Sequence, residues 1–114
     1  EDREEFGYSM ALSGDGTTLA IGSPRHNSDG SLVGSVSAFE FDGTFWSLKG
    51  SPVEGDWNSD RFGWSVEIND DGSRIAGSSP FHNGGRGHLK LLEYDGVKWT
   101  QLGEPIEGES ALDR

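Results

Sequence analysis

Phe6-Gly7-Tyr8-Ser9-Met10-Ala11-Leu12-Ser13-Gly14-Asp15-Gly16 and Phe62-Gly63-Trp64-Ser65-Val66-Glu67-Ile68-Asn69-Asp70-Asp71-Gly72 are two versions of one segment. In the first, Phe6, Tyr8, Met10 and Leu12 alternate with Gly7, Ser9, Ala11 and Ser13; in the second, Phe62, Trp64, Val66 and Ile68 alternate with smaller or polar residues. A period of two defines a strand with one bulky and one small face. Two such sheets stack by setting the bulky face of one on the small face of the other, and these eight bulky positions are the expected packing residues. Glu67 interrupts the small face of the second segment and predicts a wetter contact there. Each segment ends in Asp-Gly, a strong hairpin signal because glycine accepts the positive φ of tight turns.

The match extends outward from this core. Ser23-Pro24-Arg25-His26-Asn27 lies over Ser79-Pro80-Phe81-His82-Asn83, and Glu40-Phe41-Asp42-Gly43 with Trp46 lies over Glu93-Tyr94-Asp95-Gly96 with Trp99. Pro52 with Glu54-Gly55 lies over Pro105 with Glu107-Gly108. The offset is 56 residues at first and 53 later, so three residues are lost between Asn27 and Gly34. A period of this size marks solenoids, propellers and arrays, whose units bury their apolar faces on one another. The chain divides into repeat 1 (1–57) and repeat 2 (58–114).

Within each repeat the Asp-Gly turn leads into a second β-rich run, at 17–21 and 73–76. A further hairpin follows, at 35–41 with 45–48 and at 88–94 with 98–102, turning at Asp42-Gly43 and Asp95-Gly96. Leu48 follows Trp46 by two residues whereas Leu102 follows Trp99 by three, which predicts a bulged edge strand. The expected fold is all-β: two tandem four-stranded antiparallel blades of a β-propeller-like repeat array, with no helix. A two-sheet sandwich is the competing architecture; it accounts for eight strands but not for the shared phase of the halves. Trp46 and Trp99 recur at matching strand positions and are expected in blade packing.

Composition narrows the functions. The 114 residues carry a net charge of −11 and are 32% apolar, with 18 glycines and no cysteine. Strong acidity argues against nucleic acid and anionic membrane surfaces as partners. No stretch approaches the length of a membrane span. Low apolar content accompanies disorder in many chains, but regular strand periodicity weighs against it here. Without cysteine no disulfide supports a thin core. Asn27, Asn58, Asn69 and Asn83 all lack the third residue of a glycosylation sequon. Asp113-Arg114 aligns with Asp60-Arg61, just before the second Phe-Gly, and the chain opens on Glu1. The expectation is an excerpt of a longer polypeptide or a protomer continuing into identical neighbours.

The Phe-Gly pairs, the Asp-Gly turns and the segments Ala20-Ile21-Gly22-Ser23-Pro24 and Ala76-Gly77-Ser78-Ser79-Pro80 resemble the FG-GAP repeat family, the blades of integrin-α-type propellers and of many surface proteins. The resemblance covers nearly the whole chain and implies an extracellular or cell-surface location and an adhesive or scaffolding role. It also implies calcium at the turn after the first strand, making Asp15, Asp70 and Asp71 the candidate metal ligands. Calcium takes six to eight oxygens, and these turns offer one carboxylate and two adjacent ones, so a plain hairpin competes with a calcium site. No cofactor is otherwise required.

His26-Asn27 and His82-Asn83 recur in the loop between the hairpins, where a sugar or protein partner can be met. The competing reading is a solvated turn stabilised by Asn. The two histidines do not share one metal: stacked sheets lie about 10 Å apart, and two zinc ligands at about 2.1 Å each lie far closer. Trp57 stands outside the repeat, opposite Ser110, and is a candidate for a ligand or partner contact special to this chain. Acidic pairs such as Glu4-Glu5 are solvated faces in most proteins. No nucleophile motif, phosphate loop or zinc signature is present, which favours a non-enzyme. The resulting expectation is a non-catalytic extracellular structural or adhesive module that assembles with further repeats or identical chains into a closed propeller or a head-to-tail filament. A carbohydrate-binding propeller and a calcium-stabilised adhesion domain are the alternatives.

Overall fold

A computed structural model describes residues 7–25, 27–28, 31–56, 60–80 and 87–108. These residues form two antiparallel sheets and a small hairpin, and among them there is no helix. Sheet I contains β1 (Ser9–Leu12), β2 (Thr18–Ser23), β5 (Ser35–Phe41), β6 (Trp46–Leu48) and β7 (Val53–Glu54). Sheet II contains β8 (Val66–Ile68), β9 (Arg74–Ser79), β10 (His88–Tyr94), β11 (Trp99–Gln101) and β12 (Ile106–Glu107). The hairpin of β3 (Asn27–Ser28) and β4 (Ser31–Leu32) sits between β2 and β5 in the chain, where the sequence predicts only a loop.

The two sheets share one plan. Strand order is β1-β2-β5-β6 in sheet I and β8-β9-β10-β11 in sheet II, with β7 on β5 and β12 on β10. The alternating runs become β1 and β8, and the turns between hairpin strands fall at the Asp-Gly pairs. Gly16, Gly72, Gly43 and Gly96 have φ of 77°, 78°, 104° and 103°, values that exclude most side chains. The preceding aspartates lock the second-hairpin turns: Asp42 Oδ1 accepts the Phe45 and Thr44 amides at 2.8 Å each, and Asp95 Oδ1 accepts those of Lys98 and Val97 at 2.9 Å each.

Those amides hold both carboxyls below the usual aspartate range, Phe45 first at Asp42 and Lys98 first at Asp95. A lowered folded-state pKa contributes stability above the unfolded value of about 3.9 and loses it as pH falls through the folded value. The melting temperature is therefore expected to hold down to about pH 5 and to fall below about pH 4. In the double variant Asp42→Asn and Asp95→Asn the acid limb becomes shallower in thermal melts across pH; an unchanged limb refutes this role for the turns.

The fourth strand is bulged as expected, but not through a difference in register between the repeats. Leu48 pairs with Phe39 and Gln101 with Leu92, so both repeats keep one register and only the side chains differ. What interrupts the edge is a left-handed glycine, Gly50 at φ 72° and Gly103 at φ 77°, after which β7 and β12 rejoin the same neighbour strand. Residues 49–52 thus oppose only 37–38, and 102–105 oppose only 90–91, so the edge strand carries the expected bulge in an enlarged form, with a left-handed glycine in it.

The core lies between the sheets. Ala20, Val36 and Ala38 from the small face of sheet I meet Val66, Ile75, Leu92 and Trp99 from the bulky face of sheet II, with Phe62 at the junction. Ala11, Val53, Ile68 and Tyr94 pack around them. Bulky-on-small stacking follows from the alternation itself, because a face of alanine and glycine lets the opposite side chains approach the backbone.

Candidate functional site

The contact between the sheets is centred on Phe62-Gly63. The Phe62 amide donates to Val33 O at 3.0 Å, and Gly34 forms a parallel bridge with Phe62. Phe62 is wholly buried. Glycines make this socket: a Cβ on Gly22 would stand 2.2 Å from Gly63 O, one on Gly34 2.3 Å from Phe62 N, and one on Gly55 2.1 Å from Val33 O. Ser9 Oγ donates to Gly63 O at 3.0 Å. At the far end Asp15 N donates to Asp70 O at 2.9 Å, and Trp99 Nε1 donates to Lys49 O at 2.8 Å.

Two buried lysines line the seam. Lys49 Nζ donates to Thr18 Oγ1 and Gly72 O, both at 3.1 Å, and lies 5.0 Å from the Tyr94 ring centroid and 5.8 Å from that of Trp99. Tyr94 and Trp99 are themselves stacked at 5.2 Å, so the ammonium exchanges water for two hydrogen bonds and two ring faces. Lys49→Ala strands the buried Thr18 hydroxyl and is expected to cost about 1–3 kcal/mol, read as a lower urea midpoint; an unchanged midpoint removes Lys49 from the seam's energetics. Lys90 Nζ bonds Asp56 Oδ1 at 3.1 Å and lies 4.9 Å from the Phe62 ring. Beside it, donor atoms of Asp56, Asp60 and His88 lie within 4.8 Å of one another, with Asp60 and His88 buried. Asp60 Oδ2 accepts the Asp56 amide at 3.2 Å, and Glu107 Oε2 lies 4.0 Å from His88 Nδ1. The Lys90–Asp56 pair joins residues of the two repeats and so forms a polar latch between them.

The face of sheet I turned away from sheet II is open along its margins, while Ile21 and Ser37 on its central strands are buried. Met10, Leu12 and Trp46 are 64%, 57% and 44% exposed, and Tyr8, Phe41 and Leu48 are exposed with them. Their counterparts by the 56- and 53-residue offsets are Val66, Ile68, Trp99, Trp64, Tyr94 and Gln101. Of these, Val66 and Trp99 are only 7% and 9% exposed, because sheet I covers them. The aromatic pair is repeated too: Phe41 and Trp46 stack at 5.1 Å, as Tyr94 and Trp99 do at 5.2 Å, but no lysine is placed over the first pair. Tyr8 also reaches across to Trp64, with ring centroids 5.0 Å apart.

Among the residues singled out from sequence, Val66, Ile68 and Trp99 lie in the inter-sheet core or pack against it, while Met10, Leu12 and Trp46 lie on the open face. Asp15, Asp70 and Asp71 meet at the end of the seam, but the carboxylates of Asp15 and Asp71 are engaged locally. Asp15 Oδ1 accepts from Thr17 N and Oγ1 and from Ser13 Oγ at 3.0, 2.8 and 2.8 Å. Asp71 Oδ1 accepts from Ser73 Oγ at 2.6 Å and Ser73 N at 3.0 Å. These bonds lower both pKa values, the Thr17 amide leading at Asp15 and the Ser73 hydroxyl at Asp71. Asn27 pairs through its backbone with Leu32. Phe6, His26, His82, Asn83 and Trp57 lie outside the described residues. Sequence reasoning missed Lys49, Lys90, Asp56, Asp60 and His88; the available signal was that Lys49 faces Leu102, Lys90 faces Ser37 and His88 faces Ser35 in the repeat alignment.

No protein-family model matches the chain, and no curated protein is significantly similar to it.

Proposed function

We propose that this chain is a non-catalytic structural module, a pair of propeller-type blades of the FG-GAP kind displayed outside the cell, that works by stacking with further blades. One observation carries the reading: on the bulky face of sheet I, Met10 and Trp46 are exposed where their counterparts Val66 and Trp99 are buried by the neighbouring sheet. Exposed apolar side chains grouped on one face mark an interaction site. Repeat arrays derive stability from contacts between neighbouring units, and a face built like a buried one is a face meant to be covered. Lys49 with Gly72 O, and Lys90 with Asp56, each link the two repeats.

Native mass measurement of the protein from its source tests this. The expected particle holds these two repeats together with further β-repeats, and Trp46 within it resists acrylamide quenching that reaches it in the isolated chain. A free 12.3 kDa species with Trp46 fully quenched overturns the proposal. Saturable fluorescence quenching by simple sugars transfers support to the carbohydrate-binding alternative. A melting temperature raised by calcium and lowered by chelator supports the calcium-stabilised alternative.

A further inference from the structure

Resting on that reading, we infer that the open face of sheet I is a docking surface for the small face of a repeat of different sequence, and that a second copy of this chain does not fit it. In a second copy the small face of sheet I is already occupied by its own sheet II, which leaves only the small face of sheet II. The inter-sheet contact described above shows what a small face must supply, and sheet II departs from it at the decisive positions.

The first requirement is glycine at the position of Gly22, where any Cβ would stand 2.2 Å from the Gly63 carbonyl. Sheet II has Ser78 there. Its hydroxyl lies 3.0 Å from Ser65 Oγ, the counterpart of the Ser9 hydroxyl that holds the Gly63 carbonyl. A second copy presenting Gly7 as Gly63 is presented therefore meets a side chain where the socket needs none. The second requirement is no charge at the positions of Ala11 and Thr18. Ala11 and Thr18 of sheet I are replaced by Glu67 and Arg74, and Arg74 Nη2 bonds Glu93 at 3.0 Å with both side chains about half exposed (53% and 41%). Covering that pair strips its water without adding a partner. The third is size: Val36 and Ala38 become Leu89 and Leu91.

The receiving face adds a demand at its margin. The bare Phe41–Trp46 pair occupies the place over which Lys49 lies in the known contact, whereas sheet II carries Leu102 at the lysine position. The partner that fits is a β-repeat whose small face has glycine for Gly22, nothing larger than valine for Val36 and alanine for Ala38, no charge at Ala11 and Thr18, and a lysine for Lys49.

Sedimentation velocity on the full chain tests this, comparing wild type with a variant whose second small face is refitted by Glu67→Ala, Arg74→Thr, Ser78→Gly, Leu89→Val, Leu91→Ala and Leu102→Lys. Wild type is expected to sediment as a monomer at every concentration. The refitted variant is expected to associate with rising concentration and to return to monomer when Leu12→Glu and Trp46→Glu are added. Wild-type association released both by Leu12→Glu and by Leu89→Glu overturns the inference while leaving the native-particle test of the proposed function untouched. A refitted variant that melts cooperatively yet stays monomeric also overturns it. Should that variant fail to fold, Gly22→Ser places the same obstruction inside the natural contact; unchanged stability there overturns the inference, and separation of the sheets supports it.

Discussion

Phe62→Ala is expected to lower unfolding free energy by about 3–5 kcal/mol, the range for emptying a buried phenylalanine site. Phe62 is wholly buried at the junction of the two sheets, against Gly77 and Val36 and beneath the Lys90 ammonium. The surroundings collapse poorly into the space left, since the socket around it is backbone: Gly34, Val33 and Gly55 are held by the bridge and hydrogen bonds of the junction. Domains of this size hold about 5–15 kcal/mol in all, so a loss of this size removes a large share of the total. Urea denaturation followed by tryptophan fluorescence measures it. A change under about 1 kcal/mol would show that the junction does not hold the repeats together.

Gly22→Ser carries the second large effect, through overcrowding. The new Cβ meets the Gly63 carbonyl at 2.2 Å and Ser9 Oγ at 2.4 Å. A serine hydroxyl can turn aside, but Gly63 O cannot: Trp64 N of the same peptide and Gly63 N of the preceding one both donate to Ser78 O, at 3.3 and 3.0 Å, fixing this stretch to sheet II. Overpacking of this kind costs about 1–3 kcal/mol where side chains can adjust and more where backbone must move. The expected cost is therefore about 3 kcal/mol or more, with a specific pattern. The ladders within each sheet survive, while Trp99, whose indole bonds Lys49 O across the seam, shifts its emission to the red before the amides of β10 lose protection. Simultaneous loss of both signals would mean that the sheets do not part as units.

The strands and turns were legible in the sequence because each has a local cause. Alternation from Tyr8 to Leu12 and from Trp64 to Ile68 specifies β1 and β8, and the Asp-Gly pairs specify turns by combining a capping carboxylate with a glycine that accepts positive φ. The sense of stacking was legible for the same reason. A bulge in the edge strand was expected, but the glycines that make it, Gly50 and Gly103, look like any loop glycine until their φ is known. The polar seam was hidden because it obeys no period: Lys49, Lys90 and His88 stand opposite Leu102, Ser37 and Ser35, and a search for repeated residues passes over them. Asp56 and Asp60 read as members of an acidic surface until the fold sets them beside His88. The open face was foreseen as bulky, but which of the two bulky faces stays uncovered is a fact of tertiary arrangement.

Because each junction joins a face of large side chains to one of glycine and alanine, every stack of such units possesses a direction. Its two extremities are chemically unlike, one sticky and one smooth. A structure assembled from them can be tethered or lengthened at a chosen pole, as a filament with identical ends cannot.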